Sequence, residues 1–257
     1  MNSRGLWVAF STIVIKEVRR FTRIWLQTLL PPAITIVLYF VIFGTLIGPR
    51  IGEMSGFSYI QFVVPGLIMM SVITNSYSNV VSSFYGTKFQ RSVEELLVSP
   101  VPNYIILLGY VIGGVSRGLM VGLIVTLLSL FFTELQVSSI PITVCIVFLT
   151  AVLFSLAGFI NAVFANSFDD ISIIPTFVLT PLTYLGGVFY SINMLPEFWQ
   201  GVSQVNPILY MVNAFRYGLL GVTDINVVWA FAMVVSFCVV LFVYSLYLLD
   251  HGKKLRS

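Results

Sequence analysis

The positively charged residues of this chain fall into clusters that are separated by long stretches without any charge. Ten of the thirteen Lys and Arg residues lie in these clusters: Arg4, Lys16, Arg19, Arg20, Arg23, Lys88, Arg91, Lys253, Lys254 and Arg256. Cytoplasmic segments of membrane proteins collect Lys and Arg, whereas segments on the other side do not. The pattern therefore predicts an integral membrane protein whose termini and basic internal loop all face the cytoplasm.

The uncharged stretches are long enough to cross a bilayer as helices. The chain is 58% hydrophobic and only 9% charged, which excludes an ordinary soluble enzyme because soluble domains are about one quarter charged. A helix needs about 20 apolar residues to cross the hydrocarbon core. The sequence therefore predicts a single all-α transmembrane domain over residues 1–257. Its six spans are expected at about 25–47, 60–84, 104–132, 140–164, 171–189 and 227–249.

Two further segments are predicted to lie along the membrane surface. Apolar residues from Trp7 to Trp25 recur at helical spacing with cations on the opposite side, which predicts an interfacial amphipathic helix over 4–23. This helix is either a surface anchor alone or one whose polar face also contacts a cytoplasmic partner. Residues 190–226 are predicted to form short helices on, or dipping into, the outer face of the membrane, since Pro207 and several amides make a lipid-exposed span costly.

The one sizeable charged internal loop, residues 86–102, has the pattern of a short amphipathic helix. Its apolar residues recur at helical spacing: Phe89, Val93, Leu96 and Leu97. Its charged residues are expected to be exposed: Lys88, Arg91, Glu94 and Glu95. Pro100 and Pro102 end the helix. From the residues alone, the loop could be either a docking helix or a solvated connector between two spans.

Two separated motifs and the order of the spans carry a resemblance to a known family. The first motif comprises Arg91, Glu95-Leu96-Leu97 and Ser99-Pro100-Val101. The second comprises Leu195-Pro196-Glu197-Phe198-Trp199, Asn206-Pro207, Tyr210 and Arg216, and it follows Gly186-Gly187-Val188-Phe189-Tyr190. Over nearly the whole chain, this pattern resembles the type-2 ABC exporter permeases, and among them the small bacterial YadH-like permeases.

The resemblance implies a permease subunit of an ATP-driven exporter in the bacterial inner membrane, working as a dimer of six-span halves. It also implies that 86–102 is a coupling helix that docks into a pair of separate ABC ATPase subunits. The coupling residues would be Lys88, Arg91, Glu94, Glu95, Leu96 and Leu97. The external segment would cap or gate the exit through Pro196, Trp199, Asn206, Pro207, Tyr210 and Arg216.

The chain itself is expected to be a permease without enzymatic activity. No G-x-x-x-x-G-K-[ST] phosphate-binding loop occurs in the sequence, so Mg-ATP would be bound by the partner ATPase. Catalytic, cofactor-binding and metal-binding residues are expected to be absent, and the one histidine, His251, lies in the C-terminal tail. The net charge of +3 follows from the positional bias and indicates no nucleic-acid partner.

Polar side chains recur on one face of span two and on one face of span five. On span two they are Ser71, Asn75, Ser78, Asn79 and Ser82. On span five they are Thr176, Thr180, Thr183 and Tyr184. Polar groups at membrane depth face other helices or a cavity. The resemblance implies that both stripes line the transport pathway. The alternative is that these side chains bond across helices or to their own backbone.

One cation, Arg117, lies inside a predicted span, where a charge costs at least about 2.5 kcal/mol. It either extends towards the inner surface or pairs with Asp169 or Asp170, which follow span four. Such a pair could transmit motion from the coupling helix to span five.

Two other functional classes remain as alternatives. An ATPase-independent transporter or channel would usually show intramembrane acids or inverted repeats, and the sequence has no clear instance of either. A membrane enzyme would need clustered reactive groups. The neutral pathway residues and the 15% aromatic content favour an amphipathic, lipid-type or glycan-bearing cargo over a strongly charged one.

Overall fold

The computed structural model describes residues 2–251. The C-terminal basic cluster (Lys253, Lys254 and Arg256), on which the predicted orientation partly rests, lies outside the described residues. Within the described part, the chain is a bundle of helices with one small hairpin. Five helical segments are long and apolar enough to cross a membrane. They are Trp25–Ile51, Tyr59–Phe89, Asn103–Ser129, Ile140–Phe164 and Val227–Asp250.

The N-terminal part consists of one amphipathic helix and one membrane-length segment. Helix α1 (Ser3–Arg23) begins at Asn2, whose side chain accepts a hydrogen bond from the Ser3 N–H. The following segment contains α2 (Trp25–Thr28), α3 (Leu30–Tyr39), a π-helical stretch (Phe40–Ile47) and α4 (Gly48–Ile51). Pro31 and Pro32 fall in the first turn of α3, where a missing N–H leaves no intrahelical bond unmade.

A two-stranded hairpin leads into the central helix of the bundle. Strands β1 (Glu53–Met54) and β2 (Phe57–Ser58) pair antiparallel. The two turn residues, Ser55 and Gly56, have φ values of +53° and +82°, as expected for a tight hairpin in which both central residues adopt positive φ. Helix α5 (Tyr59–Phe89) follows directly and contains 31 residues.

Helix α5 is the core of the bundle, and two long helices pack closely on it. The two packed helices are α7 (Asn103–Ser129) and α8 (Ile140–Phe164). The short helix α6 (Ser92–Val98) lies between α5 and α7 in the chain. Glycines allow the close approach: a Cβ on Gly158 of α8 would lie 2.5 Å from the Tyr77 carbonyl oxygen of α5. Small residues serve this purpose in membrane helices because backbones can then touch.

The predicted fifth span has a different form from the other spans. Helix α9 (Asp170–Ile174), a π-helical turn (Pro175–Leu179) and α10 (Thr180–Tyr184) follow each other as three five-residue segments. Together they measure about 22 Å, which is short of the roughly 30 Å hydrocarbon core. The chain then leaves the helix through Gly186 and Gly187, so a crossing by 171–189 stays a prediction.

The last part of the chain holds the short helices expected between spans five and six. A 3₁₀ turn (Ile192–Met194), α11 (Glu197–Gln204) and α12 (Pro207–Leu220) precede the long helix α13 (Val227–Asp250). Helix α12 is largely buried and packs against α5, α8 and α13. This segment therefore enters the bundle rather than lying only on its surface.

The Gly158 contact predicts that Gly158→Ala destabilises the protein by about 1–3 kcal/mol, because the added methyl group meets a backbone carbonyl that cannot move aside. Gly86→Ala in α5 is the matched control, since a Cβ there meets nothing within 4 Å. Thermal unfolding of the detergent-purified variants measures both effects. Equal melting temperatures for the two variants would contradict the close approach of α8 to α5.

Candidate functional site

The segment between α5 and α7 presents a charged surface at one end of the bundle. Arg91, with φ +60°, makes the left-handed turn that separates α5 from α6. Val93 is buried at 1% exposure, whereas Glu94 and Glu95 on the opposite side are exposed and Val98 is 85% exposed. Two of the predicted coupling residues, Leu96 and Leu97, pack partly against the core. We call the exposed set Arg91, Glu94, Glu95 and Val98 the α6 surface.

Lys88 does not belong to the α6 surface. Its Nζ donates hydrogen bonds of 2.8 Å to the carbonyl oxygens of Val163 and Ala165 at the end of α8. The last carbonyls of a helix lack intrahelical partners and carry partial negative charge, which attracts a cation. The expectation that Lys88 is exposed for a partner is therefore wrong, and its role is to join the ends of α5 and α8.

Helix α1 is held to α5 by hydrogen bonds made by Glu17 and Arg20, two residues of α1 that also form an ion pair with each other, and sequence reasoning missed this contact. Glu17 is fully buried, and one of its oxygens accepts a 2.7 Å hydrogen bond from the Ser83 hydroxyl. Its other oxygen lies 3.5 Å from Arg20 Nε. Arg20 Nη2 donates to both the carbonyl and the side-chain oxygen of Asn79, each at 2.8 Å. Arg20 was expected to face lipid headgroups and instead points into the bundle.

A signal for this contact was present in the sequence. Glu17 is the one acid among the cations of α1, and it lies three residues before Arg20, a spacing that brings two side chains together on a helix. Lys16, the neighbouring cation, lies 5.7 Å from the centre of the Tyr110 ring of α7. The polar side of α1 therefore contacts the bundle as well as the surroundings.

Arg117 has partners other than the acids proposed for it. Its Nη2 donates to the Asn75 side-chain oxygen at 3.1 Å and to the Thr28 carbonyl at 3.3 Å. Asp170, the first residue of the short helix α9, instead accepts hydrogen bonds from the backbone N–H groups of Asn166 and Ser167 in the preceding turn. Within residues 2–251, Arg117 forms no ion pair with either acid, so the predicted pairing with Asp169 or Asp170 is wrong.

The polar residues predicted on span two divide between two faces of α5. Asn75 and Asn79 are almost fully buried and bind the two arginines just described. Ser71 donates to the carbonyl oxygen of Leu67 in its own helix. Because these three residues are buried in the bundle, they do not line the cleft described below, and their predicted place in a transport pathway stays a prediction. Ser82 is half-buried and bonds to its own helix and to Arg20.

The other face of α5 borders a cleft of about 200 Å³ against the broken fifth segment. Its lining contains Ser78 and all four polar residues predicted on span five: Thr176, Thr180, Thr183 and Tyr184. Met70, Thr74, Pro175 and Leu179 complete it. Sequence reasoning missed Thr74, which lies one helical turn before Ser78 on the same face. The hydroxyls of Thr180 and Thr183 donate to backbone carbonyls of their own segment, which leaves them free to accept.

At the opposite end of the bundle, two residues of the second motif tie α12 to its neighbours. The Asn206 side-chain oxygen accepts the Ile208 N–H, and its amide donates to the Leu182 carbonyl at 2.6 Å. Arg216 is buried and donates to the carbonyl oxygens of Phe62, at 3.3 Å, and Gly187, at 2.7 Å. These bonds fix the turn after α10 against the start of α5.

The remaining motif residues have local roles or remain accessible. The Tyr210 hydroxyl donates to the Gln204 carbonyl at 2.7 Å, and Pro207 starts α12. Pro196 precedes α11, and Trp199 on that helix is 45% exposed. The predicted gating role of this segment stays a prediction. Among the described residues, no group of three or more His, Cys, Asp or Glu could hold a metal ion.

The chain is similar in sequence to a family of known transport proteins. The sequence model of the ABC-2 type transporter family matches residues 8–220. The inner membrane transport permease YadH of Escherichia coli (strain K12) is 61% identical over 251 residues, which are 98% of each chain. Nodulation protein J of Rhizobium meliloti (strain 1021) is 24% identical over 186 residues, which are 72% of this chain and 71% of that protein. The resemblance predicted from two motifs is confirmed.

The buried contact of α1 predicts that Glu17→Gln destabilises the protein by about 1–3 kcal/mol, since it removes the charge beside Arg20 and weakens the bond from Ser83. The exposed Glu94→Gln variant, with the same chemical change, is expected to stay within about 0.5 kcal/mol of wild type. Thermal unfolding in detergent compares them. A Glu17→Gln protein as stable as Glu94→Gln would show that α1 does not depend on this pair.

Proposed function

This chain belongs to the ABC-2 type transporter family, and we propose that it is the transmembrane permease of an ATP-driven exporter in the bacterial inner membrane. Its relative YadH is named as an inner membrane transport permease. The observation that carries the proposal is the continuity of one helix: α5 ends beside the α6 surface and borders the polar cleft in its middle part, through Met70, Thr74 and Ser78. A displacement of α6 would therefore move α5 and change the shape of the cleft.

The α6 surface is the proposed docking site for the ABC ATPase partner that membership in this family implies. Its exposed charges lie beside an open groove of about 450 Å³ between α1 and α6. Lys16 on the α1 side and Glu95 on the α6 side both line this groove. Groups of both signs at a rim give orientation and specificity to a docking partner. In this proposal α1 contributes to docking as well as to anchoring.

The transmission of movement follows from three contacts at the inner end of α5. The left-handed turn at Arg91 joins α6 to α5 without a flexible linker. Lys88 joins the same end to α8. Arg20 and Glu17 join it to α1. An ATPase that binds the α6 surface differently in its ATP-bound and free states would shift α5, α8 and α1 together, since only differential affinity moves such an equilibrium.

A second copy of the chain is the proposed partner that closes the pathway. In one copy the cleft is open on one side, and the broken segment exposes Phe177 at 73% and Tyr184 at 44%. Thr74, Thr176 and Thr180 are also exposed there. Polar groups at membrane depth avoid lipid. A homodimer would cover this face and form a pathway from two clefts, with six spans in each copy and both termini in the cytoplasm.

The proposed cargo is amphipathic, such as a lipid or a glycan-bearing lipid. The cleft is lined by hydroxyl groups, one tyrosine and apolar side chains, and it contains no charged residue. Hydroxyls can exchange hydrogen bonds with a sugar or headgroup, while the apolar lining accepts a hydrocarbon portion. The broken helix beside the cleft has a π-helical turn between two prolines, Pro175 and Pro181, and a break of this kind allows one segment to move relative to its neighbour.

Co-purification with the ATPase encoded beside this permease tests the proposal. The test variant combines Arg91→Asn with Glu95→Gln, because Asn tolerates the positive φ of position 91. The control combines Arg50→Gln with Glu53→Gln, which removes the same charges from exposed positions at the other end of the bundle. We expect capture of the ATPase by wild type and control, and about tenfold less capture by the test variant.

Failure of the folded wild-type protein to capture the ATPase would overturn the proposal and favour an ATPase-independent transporter. Equal capture by the test variant would show that the partner docks elsewhere.

A further inference from the structure

A second polar cavity lies at the end of the bundle opposite α6, away from the cleft. It measures about 380 Å³ and opens between the hairpin, the start of α5 and the loop after α12. It is lined by Ser55, Phe62, Arg216, Gly221, Val222, Thr223 and Asp224. The cavity shares no lining residue with the cleft of the proposed transport pathway.

The base of this cavity is a buried cation with one unused donor. Arg216 is only 1% exposed. Its Nε and Nη2 donate to the carbonyl oxygens of Phe62 and Gly187, and its guanidinium carbon lies 3.9 Å from the centre of the Phe62 ring. Nη1 has no hydrogen-bond partner among the described atoms. All of these hydrogen-bond partners are neutral, and the carboxylate of Asp224 attracts the buried guanidinium only through space.

Asp224, the acid in the same cavity, does not accept a hydrogen bond from Nη1 of Arg216. Both oxygens of Asp224 already accept hydrogen bonds: one from the Ser191 hydroxyl at 2.9 Å and the other from the Ile192 N–H at 3.2 Å. These bonds direct the carboxylate towards the turn at 191–193. Within the described range, Arg216 and Asp224 form no close ion pair, and the buried Nη1 of the guanidinium that lines the cavity is left without a hydrogen-bond partner.

We infer that this cavity binds a phosphate group. Guanidinium groups bind phosphate through short, charge-assisted hydrogen bonds, and Nη1 is free to donate one. Phe62 lies three residues after the start of α5 at Tyr59, so Arg216 contacts α5 within about 5 Å of the end of that helix. The cavity volume of about 380 Å³ is large enough to hold a phosphate group. The phosphate belongs either to a lipid headgroup or to free inorganic phosphate.

Phosphate at this position would also stabilise the turn that closes the end of the cleft. Arg216 holds the Gly187 carbonyl, and the backbone there is so close to α5 that a Cβ on Gly66 would lie 2.5 Å from the Val188 oxygen. Neutralising the guanidinium charge removes the cost of keeping it buried in this arrangement. A phosphate bound here would therefore act on the turn after α10 through Arg216.

Substitution of Ser55, at the mouth of the cavity, tests the inference without disturbing Arg216. Asp and Asn both tolerate the φ of +53° found at position 55. Ser55→Asp adds a negative charge at the mouth, whereas Ser55→Asn is the neutral control of nearly equal shape. The probes are inorganic phosphate and dihexanoyl phosphatidylglycerol, with sodium chloride at equal ionic strength and dihexanoyl glycerol as controls without phosphate.

The melting temperature of the delipidated, detergent-purified chain is measured against the concentration of each probe. We expect a phosphate-bearing probe to stabilise wild type and Ser55→Asn, with affinity about tenfold weaker for Ser55→Asp, since like charges at a binding site oppose binding. Stabilisation by both probes identifies the phosphate group itself. Stabilisation by the lipid alone identifies a headgroup, and stabilisation by inorganic phosphate alone identifies the free anion.

Two results would overturn the inference. One is that neither probe raises the melting temperature beyond its control, which would assign the cavity to water. The other is equal affinity of Ser55→Asp and wild type, which would place the binding elsewhere. This test involves no ATPase and no transport, so its failure leaves the proposed function untouched.

Discussion

The structure depends on two asparagines of α5 that accept hydrogen bonds from arginines inside the bundle. Arg20 and Arg117 enter the bundle from two different helices, and each donates to an asparagine of α5: Asn79 and Asn75. An unsatisfied polar group in this setting costs several kcal/mol. The bonds therefore fix α1 and α7 to the same central helix. The polar residues of α5 serve structure on one face and the cleft on the other.

Helix α5 connects the α6 surface at one end of the bundle with the turn at Gly187 at the other end. The C-terminal end of α5 is joined to α8 through Lys88 and continues through Arg91 into the α6 surface. Its N-terminal end is joined through Phe62 to Arg216 and the turn at Gly187. Between these ends, Thr74 and Ser78 face the cleft. Movement at one end of such a rigid helix is expected to alter the contacts at the other.

Much of the helical architecture could be predicted because an uncharged apolar run sets the length of a membrane helix. The predicted span at 140–164 and helix α8 have the same ends. The fifth segment differs because two prolines and a π-helical turn shorten it, which hydropathy does not register. The site was harder to predict: helical spacing identified a polar face containing Asn75 and Ser78, but only the neighbouring helices decide that Asn75 is covered and Ser78 open.

The most direct test of the account is the distance between two cleft residues during the ATPase cycle. Spin labels on Ser78→Cys, in a background without Cys145 and Cys238, report this distance between the two copies when the permease is reconstituted with its ATPase. The account predicts a paired distance that shifts when ATP binds to a hydrolysis-deficient ATPase. A distance unchanged by ATP, or the absence of any paired signal, would contradict a dimeric pathway moved by ATP binding.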